Sequence, residues 1–306
     1  MRDWAILAAG VTLFALLPLL GGNYALRLGT IFAMYAVLAL SWNIIGGLAG
    51  YPSFATAAFF GLGAYASAIL AGKSVPMLLA WAAAGIVAAT FAVVIGLAIL
   101  HLKGHYFAIA SLVLAEVLRE LTNSFADLTG GGMGLNLPVL RWTVGQEAQF
   151  FFFAMLVLVA LTMIAVLLLR RSTLGFALRC IQQNEDAAVM LGIGARGCKA
   201  VAFMLSAVFV GIAGAIYASW VHYIEPGDVF DVLYSVKPLV MVLIGGIGTL
   251  FGPVIGAAVF LLLEEAVWRS FLTIHAAVLG GLIVLLVLFL PDGMLGSRKA
   301  RLVWRG

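Results

Sequence analysis

The stretch "IGGIGTLFGP" (residues 244–253) puts four glycines and a proline into ten positions, inside an apolar run that extends from 232 to 263. Glycine costs a helix backbone entropy and proline removes a donor, so a straight membrane-crossing helix does not survive there. The run therefore reads as a broken element: a half-helix over 232–244, a bend through the glycines, and a return from Phe251. Backbone that leaves helical geometry at membrane depth is tolerated only where protein or a water-filled cavity surrounds it. This decides the topology, because it removes one crossing from the count.

Working outward, the 306 residues are 64% hydrophobic and only 10% charged, with mean hydropathy +1.16. Soluble domains carry about 25% charged residues, which excludes a soluble enzyme. Further apolar runs lie at 4–20, 28–45, 52–71, 76–100, 105–118, 149–169, 200–221 and 274–290. Most approach the roughly 20 residues that a helix needs to cross a bilayer. The alternating strands of an outer-membrane barrel are not visible. The expected fold is all-α and polytopic: about eight transmembrane helices, one re-entrant or broken helix, and a single membrane domain over 1–306. Its first segment reads as a retained helix, not a signal peptide.

Orientation follows from basic residues. Arg170, Arg171, Arg179, Arg196 and Lys199 cluster in one loop, and Arg298, Lys299, Arg301 and Arg305 in the tail. The positive-inside rule makes both cytoplasmic, and with the broken run not crossing, the N-terminus is cytoplasmic too. Eleven of the seventeen Lys and Arg then face inward. The net charge of +4 reflects these loops and implies no nucleic-acid partner. Cys180 and Cys198 are too few for a disulfide framework and read as free thiols.

The loop holding most of that charge contains "IQQNEDAAVMLGIG" (residues 181–194), unusually polar for its surroundings. Asn184 is suited to cap a helix N-terminus. Glu185 and Asp186 follow where the helix dipole favours acids. Ala187, Ala188 and Leu191 continue the turn, and Gly192 suits a left-handed C-terminal cap. With Ala188 and Leu191 on one face, such a helix has the shape of a plug for another protein's groove, or of an ordinary surface helix.

Other motifs are weaker. In "LTGGGMGL" (residues 128–135), Thr129, Gly130, Gly131 and Gly132 offer a hydroxyl and backbone amides to a carboxylate on the outer side, or form a plain turn. Gly245, Gly246 and Gly248 are candidates for a broken segment lining a substrate path. Gly248, Gly252 and Gly256 share a spacing of four that also permits tight helix packing. Glu116 and Arg119 read as an interfacial ion pair. His101 and His105 have no third ligand nearby, so no metal site is expected. Glu225, Asp228 and Asp231 crowd one outer loop, either to meet a basic partner or simply to be solvated.

The region 179–218 resembles the cytoplasmic loop and following helix of branched-chain amino acid ABC transporter permeases of the LivM type. Asp186, Ala187, Ala188 and Gly192 match that family's coupling loop, with Asp where Glu is usual. Residues 35–65, 106–135, 240–257 and the "LPDGMLG" near the end agree in order. The resemblance implies a transport subunit of the bacterial or archaeal inner membrane, without enzymatic activity and without a cofactor of its own. It implies branched-chain or related amino acids or small amides as substrates. Its partners would be two ATP-binding subunits of the LivG/LivF type, which hold ATP and Mg, a second permease of the LivH type, and a periplasmic or lipid-anchored substrate-binding protein. The chain itself has no GxxxxGK[ST] phosphate loop. The alternative, an ion-gradient-driven secondary transporter, would need acids well inside the membrane, and the sequence has almost none away from segment ends.

Overall fold

The computed structural model describes residues 2–20, 22–139, 141–270, 280, 281, 284 and 293–296. The run expected at 274–290 and the basic tail lie almost wholly outside the described residues. The chain opens with α1 (Arg2–Ala15) and α2 (Leu17–Leu20), then α3 (Asn23–Trp42), which continues as a π-helix over Asn43–Leu48. Next come α4 (Thr56–Gly72), α5 (Met77–Ile99), α6 (His105–Ser124), α7 (Ala126–Thr129), a 3₁₀ turn (Gly131–Met133) and β1 (Leu135–Asn136). The second half holds α8 (Val144–Arg171), α9 (Thr173–Gln183), α10 (Glu185–Met190), α11 (Ala195–Val221), β2 (Tyr223–Ile224), α12 (Pro226–Val229), α13 (Leu233–Gly245) and α14 (Gly252–Ser270).

Among the described residues four helical stretches are long and apolar enough to cross a membrane: Asn23–Leu48, Met77–Ile99, Val144–Arg171 and Ala195–Val221. The first expected segment is divided in two. Pro18 has no N–H to give the carbonyl four residues back, and the helix stops at Ala15. Thr143 and Gln146 close a reciprocal capping box that starts α8 earlier than hydropathy suggested.

The centre of the bundle is α11, packed against α4 and α5. In lipid no hydrophobic force joins helices, so close backbone approach and dispersion must do it. A Cβ on Gly63 would stand 2.0 Å from the Gly211 carbonyl oxygen, and one on Gly214 2.1 Å from that of Phe60. The same logic closes α13 onto α14. A Cβ on Gly245 would lie 1.8 Å from the Gly252 oxygen, and one on Gly256 1.8 Å from the Met241 oxygen. The helix–bend–helix element expected from the glycine run is therefore present, with its bend at 246–251.

Contacts sort the connecting pieces into two ends. At one, Asp3 pairs with Arg171, Lys103 with Asp186, Gln182 with Gly47, Arg196 with the Leu97 carbonyl, and Leu295 with Gly245. At the other, β1 and β2 pair antiparallel, Leu135 opposite Ile224 and Asn136 opposite Tyr223, beside His222 and Glu147. The expected topology places each of these groups on a common side except Gly245, expected at membrane depth, which the structure brings to the same end as Leu295.

Candidate functional site

The polar loop forms a compact knuckle at the first end. Ser172 caps α9 by accepting from Gly175 N. Asn184 then caps α10, its Oδ1 accepting from Ala187 N at 3.0 Å. At the far end Gly192 takes φ +85°, a left-handed conformation that suits glycine. Its N–H donates to Val189 O at 2.9 Å and that of Ile193 to Ala188 O at 3.1 Å. These two bonds are the Schellman closure of a helix. A six-residue helix has little stability of its own, so both caps matter.

Below the knuckle sits a buried ion cluster. Lys199 is 2% exposed, and its Nζ donates to Glu185 Oε1 at 2.7 Å, Tyr51 Oη at 2.9 Å and the Leu100 carbonyl at 2.9 Å. All three ammonium donors are used. The Tyr51 hydroxyl in turn donates to the second Glu185 oxygen. Burial alone would raise the Glu185 carboxyl, but the hydrogen bonds from Lys199 and Tyr51 and the nearby positive charges outweigh it and hold the group below its ordinary value. Burial and that carboxylate push the Tyr51 phenol up, which keeps it a donor. Asp186 points outward to Lys103 at 2.7 Å and raises that lysine.

Two expectations change here. Ala188, expected on the docking face, is 2% exposed and packs into the chain's own core. The face left open is Val189, Met190 and Leu191, with Met190 88% exposed. Lys199, expected only as one of the basic residues that mark the loop as cytoplasmic, is the anchor of the knuckle. The signal was its spacing: Ala195, Lys199, Ala202 and Ser206 lie on one buried stripe of α11.

The knuckle is tied to the glycine bend. Gln182 Nε2 donates to Gly47 O at 3.0 Å. One turn earlier on the same π-helix, Asn43 donates to Thr249 O and accepts from Gly248 N, both at 2.8 Å. A Cβ on Gly47 would meet the Asn43 carboxamide, so glycine there is what lets that side chain reach the bend. The bend thus lies at the knuckle's end of the bundle. Gly245, Gly246 and Gly248, expected along a substrate path, serve helix packing and this clamp.

At the opposite end a cavity of about 880 Å³ opens between α3, α8, α11 and α13. Arg27, Glu147 and His222 stand in its wall, with Met34, Tyr35 and Tyr234 among the remaining lining residues. Thr129, Gly130, Gly131 and Gly132 do not line it. The Thr129 hydroxyl donates to Thr122 O and Phe125 O and accepts from Gly131 N. The amides of Gly130, Met133 and Gly134 close turns within the loop, so the triple glycine makes a tight turn. Of the three loop acids, Asp228 accepts from Tyr217 and Asp231 from the Leu233 amide. Glu116 and Arg119 form the expected pair at 2.5 Å.

A helical chain with a capped knuckle at one end and a cavity at the other suits a transport subunit, and comparison with known proteins gives the family. The family model described as the permease component of the branched-chain amino acid transport system matches residues 24–289. The chain belongs to this permease family. It is 28% identical to the high-affinity branched-chain amino acid transport permease LivM of Escherichia coli K12, over 99% of this chain and 77% of the relative. To LivH of the same organism it is 26% identical, over 90% of this chain and 95% of the relative. The probable LivM of Methanocaldococcus jannaschii is 22% identical over 87% of the chain. No solved structure matches. Between the two Escherichia coli relatives, the permease is slightly more identical to LivM, and that match covers more of this chain, whereas the match to LivH covers more of the relative.

Proposed function

We propose that the permease is a membrane-spanning subunit of an ATP-binding-cassette importer for branched-chain or related amino acids or small amides. The observation that carries this is the knuckle: a short helix capped at both ends, seated on a buried ion cluster, with three successive apolar residues turned outward. A solvated loop has no use for such rigidity, and an apolar face of this kind fits a partner's groove. Asn184, Glu185, Asp186, Ala187 and Gly192 shape the helix, and Val189, Met190 and Leu191 touch the partner, an ATP-binding subunit. The knuckle then faces the cytoplasm, as its basic residues require, and the cavity opens outward. ATP and Mg belong to two such partners, a second permease of the LivH type completes the pathway, and a substrate-binding protein delivers cargo.

Motion of the knuckle passes through Gln182 to the π-helix of α3, and from Asn43 to the bend of α13 and α14. Because α3 also forms a wall of the cavity, one helix joins the engine's end to the cargo's end. A gradient-driven carrier would need a free acid to load and release a proton. Here Glu185 is paired with Lys199 and Glu264 with Lys237 at 2.7 Å, and Glu147 at the cavity wall is paired with His222 at 2.5 Å. The test is co-purification of the ATP-binding subunits with Met190→Glu and Leu191→Glu permeases. The expected result is loss of the subunits at unchanged permease stability; retention of both would refute the docking face.

A further inference from the structure

The cavity at the outer end has a graded lining. On α3, Asn23, Arg27, Ile31 and Met34 follow one another down one helix face. From Asn23 to Tyr35 is twelve residues, about 18 Å of depth at helical rise. The mouth is polar: Arg27, with Glu147 and His222 across from α3 on α8 and at the end of α11. The floor is apolar and aromatic: Met34, with Tyr35 and Tyr234 stacked at 6.2 Å between ring centroids.

Two features of the mouth bear on what it can hold. Arg27 is exposed at the cavity wall and makes no hydrogen bond or ion pair among the described residues, so its guanidinium is open to solvent and to a solute. His222 holds φ +59°, a left-handed conformation uncommon outside glycine, as the cap of α11. Its Nε2 lies 2.5 Å from Glu147 Oε1. Its Nδ1 is buried and has no partner. Glu147 is thereby held at the cavity wall by a residue whose own backbone is constrained, and its second oxygen has no hydrogen bond among the described residues.

We infer that this cavity is a binding station for a zwitterionic amino acid, with Arg27 receiving the carboxylate, Glu147 receiving the ammonium, and Met34, Tyr35 and Tyr234 receiving an apolar side chain. The inference rests on the transport function proposed above and assigns its cargo to a place. The guanidinium fork matches a carboxylate through two parallel bonds, which a neutral amide cannot reproduce. A fixed carboxylate opposite it distinguishes an ammonium from a keto group. Polar groups at the mouth and apolar groups at the floor also set the order of events: the charged end is held while the side chain is tested for fit.

The experiment uses the complete importer in proteoliposomes, with its binding protein, supplied with leucine, leucinamide and α-ketoisocaproate. The binding protein's own preferences are common to every permease variant, so a change in the ratio of substrates reports the permease. Arg27→Gln should lower leucine kcat/KM by about tenfold and largely remove the preference for leucine over leucinamide, with Arg27→Lys intermediate. Glu147→Gln should instead reduce the preference for leucine over the keto acid. Unchanged leucine uptake and unchanged acid-to-amide ratio in Arg27→Gln would overturn the site while leaving the importer reading intact. Absence of leucine uptake by the wild-type complex would overturn the importer reading and the site with it.

Discussion

The ion cluster under the knuckle predicts an asymmetry between its two charged members. In Glu185→Leu, an ammonium that is 2% exposed keeps only Tyr51 and the Leu100 carbonyl. Stranding a buried charge by removing its partner costs about 3–5 kcal/mol. In Lys199→Met, the stranded carboxylate is 18% exposed, still accepts from Tyr51 and can reach water. That loss falls nearer to an unsatisfied polar group, about 1–3 kcal/mol. The double variant replaces the pair with apolar groups of similar volume, which is often close to neutral. Its loss should be smaller than that of Glu185→Leu alone, so the coupling between the two positions must exceed the loss of Lys199→Met itself, about 1–3 kcal/mol. The assay is thermal unfolding of purified permease in nanodiscs, with retention of the ATP-binding subunits measured on the same samples. Equal losses in the two single variants, or a double variant equal to their sum, would refute the account of Lys199 as the anchor.

Three further outcomes follow from the same contacts. Gly192→Val finds open space around its Cβ but must hold φ +85°, so it should cost about 1–2 kcal/mol and speed amide exchange at Ile193, with Gly192→Asn milder. Gly256→Ala would drive a methyl to 1.8 Å from the Met241 oxygen and should lower stability by about 3 kcal/mol; Gly72→Ala, with nothing within 4 Å, should be neutral or slightly stabilising in the same melt. Because the folded Glu185 carboxyl sits below its unfolded value, the cluster's stabilisation is complete above the usual glutamate range and is lost as pH falls through the folded value. ATP-binding subunits should therefore stay bound down to about pH 4.3 and be released only in stronger acid.

What the sequence revealed was local. Glycine and proline act on their own backbone, so the bend at 246–251 and the cap at Gly192 could be read from spacing. Asn184 followed by two acids gave the other cap in the same way. The cluster under the knuckle could not be read, because it gathers Tyr51, Leu100, Glu185 and Lys199 from four separate segments. Periodicity put Ala188 on a face of α10 without saying whether that face met a partner or the chain itself; the fold gives the second answer, with Ala188 packed in the chain's own core. The triple glycine offered amides in sequence, and only the fold showed them closing turns around the Thr129 hydroxyl. The cavity was invisible for a related reason: Arg27, Glu147 and His222 stand on three helices and acquire meaning only once those helices meet.

The claim on which all of this rests is that the permease carries cargo only when an external ATPase moves its knuckle. Leucine uptake into proteoliposomes, measured with and without the ATP-binding subunits and ATP, tests it most directly. Uptake should require both and should disappear in Leu191→Glu. Uptake by the permease alone, or uptake that follows an imposed proton or sodium gradient, would contradict it.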